Sequence, residues 1–126
     1  MSDIHDLASG AADALARLPR TTYTIPEDAR LETDPKKVTI RVITSGEEWA
    51  ARASAKRKGV EYEQEGAKYA LCAIDGQPLT WERNQVEEAY FALSPAVREL
   101  VVMGFMERNM AKQSAYASFL ASAKTA

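Results

Sequence analysis

The sequence contains few of the residues from which catalytic, metal and nucleic-acid sites are commonly built. Its 126 residues include one cysteine, Cys72, and one histidine, His5, so an internal disulfide and a cysteine-rich zinc site are excluded. Its 16 lysines and arginines stand against 18 aspartates and glutamates, so the basic excess typical of nucleic-acid-binding proteins is missing. We therefore expect one small domain that does not bind nucleic acid.

Long hydrophobic segments are missing as well. No apolar run approaches the roughly 20 residues that a helix needs to cross a bilayer. The first ten residues, MSDIHDLASG, are acidic and lack the basic start and apolar stretch of a secretory signal. We expect a soluble intracellular protein that does not act on a membrane.

The reactive residue types lie in settings that do not favour catalysis. His5 belongs to a terminal segment in which no positioned partner can be inferred. Cys72 lies in an apolar stretch, where a free cysteine usually behaves as a small hydrophobic residue. The acidic run 61–65 lacks the glycine and ligand spacing of a calcium loop, so we interpret it as a solvated face. We expect no enzyme and no metal site. If the chain were an enzyme, its first candidate residues would be Glu47, Glu61 and Tyr69.

The N-terminal segment predicts a helix followed by an extended arm. Over residues 2–18, apolar side chains recur at spacings of three and four and so form one stripe: Ile4, Leu7, Ala11, Leu15 and Leu18. Pro19 ends this helix. Residues 20–37 are polar, are interrupted by Pro26 and Pro35, and show no clear period, which is typical of a linker.

Regular structure resumes at Lys37. Residues 37–43 alternate and are rich in β-branched side chains, which predicts a strand with Val38, Ile40 and Val42 on one face. Ser45 and Glu48 fit a capping box, so a helix should begin there and end near Gly59. We expect this helix to carry its apolar members Trp49, Ala50 and Ala53 inward, and its basic members Arg52, Lys56 and Arg57 outward.

The segment 60–74 is ambiguous. Its alternation suits a hairpin that turns at Gly66, whereas its alanines and tyrosines also fit a helical stripe; we favour the hairpin. Asp75-Gly76 predicts a tight turn whichever interpretation holds.

The last third of the chain predicts helices. One helix should run from Thr80 to Leu93, and Ser94-Pro95 should begin the next. The core face of that second helix should contain Val97, Leu100, Val101, Gly104 and Phe105. Residues 112–126 form a further helical stripe that includes Tyr116, Phe119, Leu120 and Ala123.

These patterns together predict an α+β fold. A small strand or hairpin element should pack on three or more helices, with an N-terminal helical arm. We divide the chain into an arm (1–36), an α+β core (37–110) and a C-terminal helical tail (111–126).

The apolar stripes indicate protein binding. An amphipathic helix must bury its stripe, either on its own core or on another polypeptide, and both interpretations are open for the two end helices. Methionines suit surfaces that accept more than one partner. The candidate protein-binding residues are Ile4, Leu7, Leu15, Leu18, Tyr90, Phe91, Met103, Met106, Met110, Tyr116, Phe119 and Leu120.

Residues 37 to about 109 contain four features in order. They are the strand Val38-Thr39-Ile40-Arg41 leading into the capped helix Ser45-Gly46-Glu47-Glu48-Trp49, an apolar segment ending in Ile74-Asp75-Gly76-Gln77-Pro78, a short helix from Val86 to Leu93 followed by Leu93-Ser94-Pro95, and a closing helix ending in Met106-Glu107-Arg108-Asn109. In these features the chain resembles the small tail assembly chaperones of long-tailed bacteriophages. This resemblance implies a factor that needs no cofactor and binds tape-measure, tube or baseplate proteins in the host cytoplasm before the tail forms. The N-terminal arm is bulkier than is usual in that group. It raises the alternative of a structural subunit retained in the tail or baseplate of the virion, and a homo-oligomer is possible in either case.

Overall fold

The computed structural model describes residues 18–79, 83–110 and 113–125. Within these ranges the chain forms a four-stranded antiparallel sheet and five α-helices, so the predicted α+β class is confirmed. The strands are β1 (Arg20–Thr24), β2 (Lys37–Arg41), β3 (Leu71–Ile74) and β4 (Gln77–Pro78). The helices are α1 (Ser45–Lys58), α2 (Tyr62–Ala70), α3 (Arg83–Ala92), α4 (Pro95–Asn109) and α5 (Gln113–Thr125).

Strand β2 is the centre of the fold. The sheet order is β1-β2-β3-β4, and every pairing is antiparallel. The predicted strand is confirmed over Lys37–Arg41, where every residue from Val38 to Arg41 is buried. Val42, which the sequence placed on the face of Val38 and Ile40, lies beyond the end of the strand and is half-buried. Strand β2 lies between β1 and β3, so the backbone groups along both of its edges are paired.

Residues 20–36 do not form an arm, and here the sequence-based division is wrong. Strand β1 pairs with β2 over its full length, from Arg20 opposite Arg41 to Thr24 opposite Lys37. Ile25 follows it into the core with only 3% of its surface exposed. The predicted helix of residues 2–18 lies outside the described residues except for Leu18.

The N-cap of helix α1 lies one residue earlier than the sequence suggests. Its capping box is formed by Thr44 and Glu47, rather than by Ser45 and Glu48, with Thr44 Oγ1 accepting a hydrogen bond from the Glu47 N–H. Gly59 ends the helix in the left-handed conformation at φ 70°, as predicted.

The buried face of α1 also differs from the prediction. Ala51, Ser54 and Ala55 face inward, whereas Trp49 and Ala53 are exposed and Ala50 is half-buried. Small side chains at the contact let α1 and α2 lie close together, and a tryptophan at that contact would hold them apart.

The segment 60–74 contains a helix followed by a strand, so the hairpin at Gly66 is wrong. A Cβ atom at Gly66 would lie 2.7 Å from Phe105 Cε1 and 2.8 Å from Cε2, so this glycine allows a close approach of an aromatic ring and makes no turn. The turn lies at Asp75-Gly76, between β3 and β4, with φ values of 50° and 79°. This turn was predicted.

Helix α4 carries much of the core. The N-cap residue Ser94 and Pro95 in the first turn are confirmed. The predicted core face is confirmed too: four of its members are buried and Leu100 packs against them. A Cβ atom at Gly104 would lie 3.0 Å from Ile40 Cδ1, so α4 lies directly against β2. The core as a whole contains Ile25, Val38, Ile40, Ala67, Ala70, Leu71, Tyr90, Leu93, Val97, Val101 and Phe105.

Candidate protein-binding surface

Three exposed methionines follow the outward side of α4, two within the helix and one at its C-cap. We call Met103, Met106 and Met110 the methionine surface. They are 59%, 41% and 40% exposed. Their spacing of three and four places them on one side of the helix, because the opposite side is occupied by core residues such as Val101 and Phe105. All three methionines are accessible on the side away from the core, and their role in protein binding stays a prediction.

Polar contacts at the C-terminal end of α4 hold the methionine surface in a fixed orientation. Asn109 Oδ1 accepts a hydrogen bond from the Ile43 N–H at 2.7 Å, and Asn109 Nδ2 donates one to the Arg41 carbonyl oxygen at 3.2 Å. Two residues earlier in the helix, Glu107 Oε1 accepts a hydrogen bond from the Tyr23 hydroxyl at 2.9 Å. The surface therefore belongs to a helix tied to both β1 and β2.

Helix α5 presents further apolar side chains. The predicted C-terminal helix is confirmed over Gln113–Thr125. Phe119 is 69% exposed and Leu120 is 53% exposed, and the side chain of Tyr116 lies outside the described residues. Every described side chain of this helix is exposed. Within the described residues, α5 therefore leaves its apolar side chains accessible.

The neighbouring aromatic residues Tyr90 and Phe91 have different environments. Tyr90 is only 2% exposed and belongs to the core, so its assignment to a binding surface is wrong. Phe91 is 51% exposed, and its ring makes an edge contact with that of Tyr90 at 5.3 Å. Lys68 Nζ lies 4.6 Å from the Phe91 ring centroid, a cation–π distance. Phe91 remains a candidate binding residue with a positive charge beside it.

The N-terminal candidates are mostly beyond the described part of the chain. Ile4, Leu7 and Leu15 lie outside it, and Leu18 is half-buried. Sequence reasoning missed two exposed apolar residues, Trp49 at 75% and Leu31 at 63%. No local pattern could have identified them, because the orientation of each is set by contacts distant in sequence.

A buried charge network connects α1 and α2. Glu65, predicted to be solvated, is only 1% exposed. It accepts a hydrogen bond from Ser54 Oγ at 2.5 Å, and Lys58 Nζ and Lys68 Nζ approach its carboxylate at 2.9 and 2.7 Å. Burial opposes ionisation, but these three donors outweigh it and lower the pKa of Glu65 to about 2. Glu87 of α3 lies 3.5 Å from Lys58 Nζ and so adds α3 to the network.

The other candidate reactive groups are also engaged within the fold. Arg41 binds both oxygens of Glu47, at 2.9 and 2.6 Å, and Glu47 Oε1 also accepts a hydrogen bond from the Thr44 N–H. Cys72 is a free thiol, as expected; burial raises its pKa, and its Sγ donates to the Thr39 carbonyl oxygen. These contacts tie Glu47 to Arg41 of β2 and to the first turn of α1, and Cys72 to the backbone of β2.

The described residues contain neither a metal-binding cluster nor a membrane-spanning helix. No group of three histidine, cysteine, aspartate or glutamate side chains is arranged to hold a metal ion in that part of the chain. None of the helices described combines the length and the apolar character that crossing a membrane requires.

The apolar side chains of α4 and α5 are thus the feature of the described chain best suited to binding another molecule. Comparison of the chain with family models, with curated proteins and with solved structures found no match.

Proposed function

We propose that this chain is a non-enzymatic factor in phage tail assembly that binds helical segments of other tail proteins. The observation that carries the proposal is the methionine surface of α4, held in place by polar contacts and accompanied by exposed Phe119 and Leu120 on α5. The resemblance of residues 37–109 to tail assembly chaperones supplies the biological setting.

The chemistry of this surface suits a helical partner. Methionine side chains are unbranched and polarisable, so they adapt to partners of different shape. A row with a spacing of three and four matches the apolar stripe of an amphipathic helix laid alongside it. A tape-measure protein, whose long helices are unprotected before the tail tube forms around them, is the partner that this surface would shield.

The test is a binding measurement with purified components. Helical peptides covering the tape-measure protein of the same phage are titrated with the chain, and binding is followed by fluorescence anisotropy. We expect the triple change Met103→Ser, Met106→Ser, Met110→Ser to weaken binding at least roughly tenfold, because it removes the apolar contacts at the centre of the interface.

A matched control is Ala96→Ser, an exposed change in the first turn of the same helix. It should leave the dissociation constant unchanged, and both proteins should unfold at the wild-type temperature, since none of the altered side chains belongs to the core. A triple variant that binds every peptide as tightly as the wild type would refute the proposal.

A second measurement separates an assembly factor from a structural subunit. An assembly factor acts in the host cytoplasm and should be absent from purified virions, whereas a tail or baseplate subunit should be present at a fixed copy number. Quantitative mass spectrometry of purified particles distinguishes the two.

A further inference from the structure

The outer face of α1 combines an exposed tryptophan with uncompensated positive charge. Trp49 is 75% exposed, and Lys56 and Arg57, two turns later on the same side, are exposed as well. Both acids of this helix are engaged elsewhere, because Glu47 pairs with Arg41 and Glu48 pairs with Arg52. A lysine and an arginine near the C-terminus of a helix interact favourably with the helix dipole, which explains their position. The helix dipole does not explain the exposed tryptophan. We call Trp49, Lys56 and Arg57 the basic face.

A second exposed feature has the opposite charge. The segment from Glu27 to Glu32 places three exposed acids, Glu27, Asp28 and Glu32, around Leu31, which is 63% exposed. Arg30, the basic residue of this segment, is half-buried. We call residues 27–32 the acidic loop.

The acidic loop is held in its conformation by one buried side chain. Asp34 Oδ2 accepts hydrogen bonds from the Leu31 N–H at 2.7 Å and from Ser94 Oγ at 2.6 Å, and Asp34 Oδ1 accepts one from the Ser94 N–H at 2.9 Å. The Ser94 hydroxyl and the two backbone N–H groups lower the pKa of Asp34, so the carboxylate stays ionised and the loop stays tied to α4. Leu31 is therefore displayed outward by an ordered turn.

We propose that two copies of this chain associate through unlike surfaces, with the acidic loop of one copy docked on the basic face of the other. Leu31 packs against the Trp49 ring, and the surrounding acids pair with Lys56 and Arg57. Both surfaces are ordered before binding, which reduces the entropic cost of association. Tryptophan and arginine are over-represented among the residues that contribute most of the binding energy in protein interfaces.

A protein partner fits the basic face better than a nucleic acid does. Among the described residues, the face offers two cations without an acidic partner and one ring, which is few cations for tracking a phosphate backbone, and the chain as a whole carries a net charge of -2. The proposal is independent of the function proposed above, since it uses neither α5 nor the methionine surface.

The first experiment is sedimentation velocity of the whole chain at several concentrations and two salt concentrations. At about 0.05 M salt the mass should rise with concentration above the 13.9 kDa of one chain, and at about 0.5 M salt it should return to that value, because screening weakens the charge pairs. A chain that sediments at 13.9 kDa under every condition would overturn the proposal.

The decisive experiment mixes two variants. Trp49→Ser removes the apolar contact of the basic face and Leu31→Ser removes that of the acidic loop, so each variant alone should associate at least roughly tenfold more weakly than the wild type. A one-to-one mixture should restore a complex of two chains, because one intact loop then meets one intact face.

Met106→Ser serves as the control, since it alters only the methionine surface. It should associate as the wild type does. Association that is lost with Met106→Ser but survives Trp49→Ser would place the contact on the methionine surface and refute the proposal.

Discussion

Glu65 is a buried charged residue whose ionised carboxylate depends on its hydrogen-bond and ion-pair partners. Its carboxylate is buried with two lysines and a serine around it, and these groups lie on α1 and α2. Removing one partner of a buried ion pair leaves the other charges uncompensated, which is more costly than losing the attraction alone.

We predict that Glu65→Gln lowers the free energy of unfolding by about 3 kcal/mol, because Lys58 and Lys68 keep their charges beside a neutral amide. Urea denaturation at pH 7 measures the change. Glu61→Gln, an exposed change four residues earlier, should stay within about 0.5 kcal/mol of the wild type. Equal effects of the two changes would mean that the network does not form.

The same residue predicts a dependence of stability on pH. Burial resists ionisation of Glu65, but its three donors lower its pKa from 4.5 to about 2 in the folded chain. A depressed folded-state pKa stabilises the fold above the unfolded-state pKa, and the contribution is lost as pH falls. We predict that the stability difference between wild type and Glu65→Gln is constant above pH 4.5 and shrinks between pH 4.5 and about 2. Urea midpoints at half-unit pH steps test this prediction, and a difference that grows on acidification would contradict it.

Two glycines give opposite predictions for the same substitution. Gly66→Ala should lower the free energy of unfolding by about 2 kcal/mol, because the new methyl group would overlap the Phe105 ring. Gly46→Ala should raise it by about 0.5 kcal/mol, because its methyl group meets only Thr44 Oγ1, at 3.9 Å, and alanine restricts the unfolded chain. Thermal unfolding of both variants measures the pair. A neutral Gly66→Ala would show that Phe105 can move away.

At the scale of elements, the capping of α1 can be tested by two neighbouring substitutions. Thr44→Ala should lower the free energy of unfolding by about 1 kcal/mol, because it removes the side-chain oxygen that accepts the Glu47 N–H. Ser45→Ala should change it by less than about 0.5 kcal/mol, since Ser45 is exposed inside the first turn. Chemical denaturation resolves a difference of this size. A larger effect of Ser45→Ala than of Thr44→Ala would instead support the capping box of Ser45 and Glu48 that the sequence predicted.

Helix α4 shows how one element serves two purposes. Its inner side packs on β2 and α2 through residues such as Val101, Gly104 and Phe105, and its outer side carries the methionines. Because the inner contacts define the orientation of the helix, substitutions on the outer side should alter binding without altering the fold. The variants proposed for the methionine surface rely on this separation.

For the whole molecule, the structure places the start of the sheet at Arg20. We predict that a chain beginning at Leu18 keeps a single cooperative unfolding transition, because it retains β1 and the core residue Ile25. It should also bind tail helices more weakly if Ile4, Leu7 and Leu15 contribute to the surface. Circular dichroism during heating tests the first part, and peptide binding tests the second.

A chain beginning at Ile25 is the matched comparison. It lacks β1, so the backbone of β2 loses one set of pairing groups and the chain should unfold at a clearly lower temperature or not fold cooperatively. If the chain beginning at Leu18 fails in the same way, the first 17 residues belong to the core.

Several features of this protein were determined by the sequence alone. The turn at Asp75-Gly76, the end of α1 at Gly59, the start of α4 at Ser94-Pro95 and the row of methionines each depend on residues within about one or two helical turns of one another. Local preference and local spacing are sufficient to specify such features.

Only the tertiary structure decided the rest. Strand β1 is polar, and its place in the sheet depends on pairing with residues 13 to 21 positions away. The outward orientation of Trp49 follows from small residues that pack α1 on α2, and the burial of Glu65 follows from lysines on two helices. Each of these outcomes depends on groups that are distant in sequence. The free energy of burying a residue depends on which neighbours surround it, and the tertiary structure determines those neighbours.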